Sequence, residues 1–399
     1  MAISNIDRWI LQGPINIPYV PVCSKSYAHR AILLSYLTGR RTILRNFTLC
    51  DDTEVTLQAL YSSYERKGDA LVLDPKHRIL EGRHRRIWVG ESGSTLRFLI
   101  PILAQKEGIT FSGTPTLLQR PLQYYEELFQ KEGLLWEKRE DHLLIGGPLR
   151  QSMYHVPGRL TSQYISAMLM ASIPRGDWEG FSLTFSPDAS RQYIAITLDV
   201  MKAFGVEYGN QKTHVKEMKQ TMEYVLPEDA SNRAFYEALA KMGGVKEPLP
   251  EGEYGEQKDG IFRQWIEEEK DQYNLRDTID LAPVMACYFA SIGKRVRLTG
   301  IENLIYKESN RLEEIGRVLR AFGRGVSIYE DSLVVTGGRI ARPKPIQLHL
   351  TDHRMVHGSL LLAQNHGKPV ILTGVSSLKK SHRELYDILQ RRNHGISIR

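Results

Sequence analysis

The sequence predicts an α/β fold with mixed sheets, laid out as two duplicated halves. Three observations carry that prediction. The chain of 399 residues exceeds what one ordinary hydrophobic core supports, so two domains are expected. Helical periods alternate with short β-rich runs along its length. Two segments, YYEELFQKEGLLWEKREDHLLIGG and IGRVLRAFGRGVSIYEDSLVVTGG, share one order of helix, glycine, strand, acidic turn and strand. In them Gly133, Asp141, Leu143 and Gly147 stand 190 residues before Gly323, Asp331, Leu333 and Gly337.

Each part of that unit has a physical reason. A glycine just past a helix supplies the left-handed backbone that ends it. An acidic turn between two β-runs joins an antiparallel pair. A third copy, IAITLDVMKAFGVEY at 194–208, has the helix, the glycine and the first strand. A constant offset near half the chain length points to duplicated halves, each built of smaller βα repeats. The pattern breaks at TMEYVLPEDAS, which places a boundary near 220–228. Residues 245–260, VKEPLPEGEYGEQKDG, read as an exposed loop.

Composition narrows the function. Hydrophobic content of 42% and charged content of 25% are those of a globular protein. No apolar run approaches the roughly 18 residues of a membrane span, and the N-terminus lacks the pattern of a secretory signal. Cys23, Cys50 and Cys287 form no CxxC or Cys/His spacing. They read as reduced thiols of a cytoplasmic protein without a zinc site. The net charge of +7 and pI of 9.1 suit an anionic partner. The densest basic clusters, GRHRR (82–86) and QRR (390–392), read as solvated surface, and RGG segments are absent. The other cations sit singly beside glycine, serine or a helix start. Small anions fit that placement better than a nucleic acid.

Five stretches carry candidate chemistry. SKSYAHRAILLSYLTG (24–39) gathers Lys25, Ser26 and Arg30 at a helix start, where free N–H groups and the dipole favour an anion. A capping serine with surface cations explains the same residues. VGESGSTLRFLIPILA (89–104) is a Gly/Ser-rich turn into an apolar helix, without the Walker pattern of a nucleotide loop. TSQYISAMLMAS (161–172) opens on Thr161, Ser162 and Gln163, of which capping explains one. DTIDLAPVMACYFA (277–290) sets Asp280 ahead of an apolar helix, as an N-cap or a candidate acid/base group. TDHRMVHGSLLLA (351–363) places Asp352, His353 and Arg354 at another helix start. Cations and hydroxyls thus recur at helix N-termini in both halves.

In this order and spacing the motifs resemble the EPSP synthase branch of the enolpyruvyl transferase family. An SKSxxxR segment matches Ser24, Lys25, Ser26 and Arg30, and an acidic DDT turn matches Asp51 and Asp52. An NAGTxxR loop corresponds to Glu91 through Arg97, and an RP pair to Arg120 and Pro121. An SSQ triplet becomes Thr161, Ser162 and Gln163, and S(K/R)xY appears as Ser190, Arg191 and Tyr193. The DAS turn is Asp229 to Ser231, the DLxP aspartate is Asp280, and NxxxKExxR supplies Asn303, Lys307, Glu308 and Arg311. DHRM lies at 352–355, and the KS pair is Lys380 and Ser381. The resemblance spans essentially the whole chain. It departs from the family at Glu91, Thr161, Ile305, Asn310 and Arg383.

The resemblance implies a two-domain inside-out α/β barrel, each domain built of three βαβαββ repeats. The N-terminal lobe would cover 19–226, and 1–18 would return to join 227–399, with two hinge segments between. It also implies transfer of the enolpyruvyl group of phosphoenolpyruvate to the 5-hydroxyl of shikimate 3-phosphate, releasing phosphate. Lys25, Ser26, Arg30, Thr161, Ser162, Gln163, Ser190, Tyr193, Asp280, Asn303 and Lys307 would hold shikimate 3-phosphate. Lys25, Gly93, Arg120, Gln163, Arg311, Arg354 and Lys380 would hold phosphoenolpyruvate. Asp280 would serve as base for the hydroxyl, with Glu308 and Lys25 moving protons at the enolpyruvyl group. No cofactor or metal is implied, and the expected protein is a cytoplasmic monomer without a nucleic-acid or membrane partner. Three other readings compete. The sister transferase acting on UDP-N-acetylglucosamine usually carries a cysteine before its RP arginine, where this chain reads SGTPTLLQRP. The others are a relic that binds both substrates without turnover and an RNA-binding protein of related fold.

Overall fold

Three of the described sheets follow one rule: a parallel pair with an antiparallel hairpin added at one edge. The structure is a computed structural model describing residues 7–393 except 80–84, 105–107, 159–160, 175–178, 187–190, 217–219, 269 and 339–342. The chain divides into two compact units, Cys23–Pro227 and Met1–Val22 with Glu228–Arg399.

Within Cys23–Pro227, strand Thr221–Val225 lies parallel to Arg41–Arg45, which pairs antiparallel with Ala70–Leu73 and through it with Glu65–Lys67. The second sheet repeats that order with Arg86–Trp88, Ile109–Ser112, His142–Gly146 and Leu135–Lys138. The third set is a parallel pair, Met153–Val156 with Ser182–Phe185, and an antiparallel hairpin, Val206–Gly209 with Lys212–Val215. Helices Lys25–Thr38, Gly93–Leu103 and Gln163–Ala171 are buried along most of their length around one apolar core.

In the other unit the same order recurs in Gln272–Asn274, Val296–Thr299, Ser332–Thr336 and Gly325–Ile328. A second sheet sets Ile346–His349 parallel to Val370–Thr373, with the early strand Arg8–Leu11 antiparallel on its far edge. Among the described residues this unit has no third sheet of that kind. Its place in the chain is taken by helix Ala230–Lys241, the turn Lys258–Ile261 and helix Phe262–Glu268. Next to Pro248 and Pro250, the pairing is reduced to one parallel bridge between Ile17 and Val245.

The repeated glycines do what their spacing predicts. Gly133, Gly205 and Gly323 adopt φ of 64°, 72° and 68°, a region that costs other residues strain. The Gly133 N–H closes helix Gln123–Glu132 onto Gln130 and Phe129 carbonyls. Helix Arg311–Ala321 then leads to its hairpin by the same route. The segment 245–260 is largely the exposed loop expected of it, but Gln257 and Asp259 at its end are buried. Their turn packs on helix Ala230–Lys241, and Gln257 bonds the Glu228 carbonyl at 2.7 Å.

Candidate active site

Each unit carries one cluster of charged and hydroxyl groups at helix starts. In Cys23–Pro227, Lys25 opens its helix and pairs with Asp52 at 2.7 Å. Asp52 lies in the acidic first turn of helix Asp51–Leu60, where the dipole favours a carboxylate.

Around helix Gly93–Leu103 the groups converge. Ser92 caps it by accepting from Thr95 N–H. A Cβ built on Gly93 would lie 2.8 Å from Arg120 Nη1 and 3.3 Å from Arg97 Nη1. A side chain at this position would have to displace the Arg120 guanidinium from this helix start. Arg97 Nη1 donates to Gln163 Oε1 at 2.7 Å, and Gln163 Nε2 donates to Ser94 Oγ at 3.0 Å. The Nε atoms of Arg97 and Arg120 are buried without hydrogen-bond partners, so donor capacity remains for an anion. Burial lowers the Arg97 pKa, and the charge of Arg120 adds to that. Thr161 Oγ1 accepts from Gln163 N–H, which gives the first residue of the triplet a capping role. Ser162 is buried behind it.

Arg30 is placed differently from expectation. Its guanidinium, 2% exposed, donates to Thr197 Oγ1, Ser26 O, Ser166 Oγ and Tyr193 O at 2.7–3.2 Å. It also lies 5.2 Å from the Phe98 ring centre. Desolvation pulls its pKa down to about 10. Arg30 thus ties Ser26 and the Tyr193 backbone together, and its N–H groups are largely spent on the protein. Ser190 lies outside the described residues.

In the second unit Asp280 sits in the short turn Ile279–Leu281, with Oδ1 2.7 Å from Arg311 Nη1 and 3.2 Å from Lys307 Nζ. Arg311, 3% exposed, also grips Asp352 through Nε at 2.6 Å and Nη2 at 3.3 Å. Its burial opposes the charge, yet Asp352, Asp280 and Glu308 overrule it and raise the Arg311 pKa. Glu308 approaches His353 Nδ1 at 2.9 Å and Lys380 Nζ at 3.9 Å. Lys307 keeps 27% of its side chain exposed, while desolvation of its ammonium lowers its pKa against the pull of Asp280. Asn303 is half-buried on the preceding turn Glu302–Tyr306.

Asp352 caps helix His353–Gln364 by accepting from Arg354 N–H. Arg354 is 9% exposed, and its Nε is buried without a partner. Glu308, Asp352 and His353 bring possible metal-ligand atoms within 4.8 Å. The Arg311 guanidinium already satisfies Asp352 there, so an ion pair explains that group. The sequence placed Asp352, His353 and Arg97 in motifs without giving them roles. Their partners lie 41, 45 and 66 residues away, beyond any local signal. Arg311, expected to hold a substrate, is instead the buried hub of this cluster. The arrangement can hold anions through Arg354, Lys380 and Lys307 and can present two carboxylates, Asp280 and Glu308, for proton transfer.

The chain resembles solved enolpyruvyl transferases in fold. It aligns with EPSP synthase from Acinetobacter baumannii at a TM-score of 0.65 and 18% identity, covering 97% of this chain and 98% of the other. The enolpyruvyl transferase NikO from Streptomyces tendae aligns at 0.65 and 12% identity, covering 96% and 97%. These likenesses define an α/β enolpyruvyl transferase fold. In sequence it is 29% identical to a 3-phosphoshikimate 1-carboxyvinyltransferase of Saccharolobus islandicus, over 97% of this chain and 98% of that one. It is 26% identical to the enzyme of that name in Brachyspira hyodysenteriae, over 90% and 92%. The family model for EPSP synthase (3-phosphoshikimate 1-carboxyvinyltransferase) matches residues 10–389, and the chain belongs to that family.

Proposed function

We propose that this protein transfers the enolpyruvyl group of phosphoenolpyruvate to the 5-hydroxyl of shikimate 3-phosphate, releasing phosphate. One observation carries the reading: a family match over 10–389 in a chain whose Asp280 carboxylate is held between Lys307 and Arg311. Addition needs a base for the attacking hydroxyl, and Asp280 takes that role. It also needs a proton on the methylene carbon, returned when phosphate leaves. Glu308 carries that proton, with Lys25 as a second proton-handling group. Positioned groups of this kind contribute about 10²–10⁴-fold each.

Gly93, Arg120, Gln163, Arg354 and Lys380 bind phosphoenolpyruvate, since guanidinium forks suit phosphate and carboxylate. Ser26, Thr161, Ser162, Ser190, Tyr193, Asn303 and Lys307 bind shikimate 3-phosphate. Arg30 and Arg311 act one step back, by holding Ser26 and Asp280. Cys23, Cys50 and Cys287 are buried and form no disulfide, as reduced thiols of a cytoplasmic enzyme would be. Among the described residues no helix is long and apolar enough to cross a membrane.

A coupled phosphate-release assay tests the reading. Release from phosphoenolpyruvate that depends on shikimate 3-phosphate supports it. Release that depends on UDP-N-acetylglucosamine assigns the sister reaction, binding without release assigns a relic, and RNA retention alone removes the enzyme.

A further inference from the structure

We propose that His29 is a positioning residue for this reaction, fixing through a chain of buried hydroxyl groups the helix start at Gly93 that binds phosphoenolpyruvate. The inference rests on the reading above and adds a residue that the SKSxxxR pattern leaves unspecified. Three helices meet at this chain. His29 lies on helix Lys25–Thr38, one turn past Lys25; Thr56 lies on helix Asp51–Leu60; Thr95 lies on helix Gly93–Leu103, which Ser92 caps. His29 Nδ1 is 2.9 Å from Thr56 Oγ1, which is 2.6 Å from Thr95 Oγ1. Thr95 Oγ1 is in turn 2.7 Å from Ser92 Oγ. All four residues are buried, and His29 is 1% exposed.

Counting hydrogens gives the chain a direction, since each hydroxyl has only one to donate. The Thr95 hydroxyl donates to Ser92 Oγ, which also accepts from the Thr95 N–H at 3.2 Å. The Thr56 hydroxyl then donates to Thr95 Oγ1, its closest acceptor. The Asp52 carbonyl, 3.1 and 3.3 Å from the two threonine hydroxyls, is the more distant alternative. Thr56 Oγ1 keeps only lone pairs for His29, so Nδ1 carries the ring hydrogen and donates. Nε2 is buried without a partner among the described residues. It is then a bare lone pair, a lighter loss than a stranded N–H. Burial, and then the charges of Lys25 and Arg30, hold the His29 pKa well below its usual value, so the ring is neutral. Phe98 packs edge-on against it, 6.4 Å between ring centres.

The far end of the chain is the anion site. Ser92 caps the helix whose first residue, Gly93, lies against Arg120 and Arg97. Without the ring donor, Thr56 is left with the Asp52 carbonyl as its alternative partner. A Thr56 side chain that turns there releases Thr95, and with it the cap. Misplacing a binding group by about 1 Å is enough to weaken what it contributes.

The test is steady-state phosphate release, with melting temperatures, for wild type, His29→Phe, His29→Asn, Thr56→Val and the double variant of His29→Phe with Thr56→Val. Phenylalanine keeps the ring's packing but has no donor. Asparagine keeps an N–H on the atom bonded to Cγ, as Nδ1 is, but fills less space. His29→Phe and Thr56→Val should each raise the KM for phosphoenolpyruvate roughly three- to tenfold. The KM for shikimate 3-phosphate should stay within about twofold. The double variant should match the worse single one, because both cut the same chain. His29→Asn should melt lower yet keep the wild-type KM for phosphoenolpyruvate. A residue that only packs would give the opposite order, with KM rising most in His29→Asn. That order, equal changes in both KM values, or effects that multiply in the double variant overturn the proposal. If His29→Phe fails to fold, an unchanged KM in Thr56→Val overturns it alone. A wild-type protein that releases no phosphate refutes the reading of the reaction by itself. Calorimetric binding of phosphoenolpyruvate to the same variants then decides the proposal by the same ratios, and no binding by wild type overturns it.

Discussion

Replacing Arg311 by methionine asks the most of the second cluster. The guanidinium makes close contacts with Asp352 at 2.6 and 3.3 Å and with Asp280 at 2.7 Å, and Glu308 lies 3.9 Å away. Methionine fills much of the volume but strands Asp352, whose side chain is fully buried. Breaking a buried pair by removing one partner costs about 3–5 kcal/mol. For a unit of this size each kcal/mol moves the melting temperature by roughly 2–4 °C, so Arg311→Met should melt roughly 6–20 °C lower. Scanning calorimetry measures it. The pH dependence adds a sign. Arg311 holds the Asp352 pKa below its usual value, against the burial that would raise it. That contribution is present above the unfolded carboxylate pKa and fades as pH falls through the folded one. The difference between wild type and variant should therefore shrink in acid. Arg311→Met with Asp352→Asn should recover part of the loss, because the stranded charge is gone. A single variant that melts within about 2 °C of wild type at neutral pH would refute the hub.

Other outcomes follow from the same geometry. Asp280→Asn and Glu308→Gln should each lower kcat by at least roughly 10²-fold with unchanged folding, measured by steady-state kinetics and circular dichroism; near-normal kcat removes that residue from the chemistry. Gly93→Ala sets a methyl 2.8 Å from Arg120 Nη1, so the KM for phosphoenolpyruvate should rise several-fold more than that for shikimate 3-phosphate. Equal changes in both would reject Gly93 as part of the anion site. Arg97→Met leaves Gln163 without its 2.7 Å donor, and should cost about 1.5–3 kcal/mol in kcat/KM; an unchanged value shows that Gln163 holds its place unaided.

Much of the fold could be read in the sequence because its punctuation is local. Gly133 and Gly323 must adopt positive φ to end a helix and start a hairpin, and both do. The clustering of Lys307, Glu308 and Arg311 was equally legible, since one helix start brings them close. What could not be read was the direction in which a guanidinium points. Arg30 and Arg311 have the spacing of ligand-binding cations, yet each spends its donors on residues far along the chain, Thr197 and Asp352. Asp259 was hidden for the opposite reason. Its proline- and glycine-rich surroundings read as solvated loop, and only the packing of its turn on helix Ala230–Lys241 buries it.

Phosphorus NMR of the folded protein mixed with both phosphorylated substrates tests the central claim most directly. The account predicts that the phosphoenolpyruvate signal gives way to inorganic phosphate while a new phosphomonoester grows in step with it, and only when shikimate 3-phosphate is present. Two unchanged substrate signals after prolonged incubation with folded protein would contradict it.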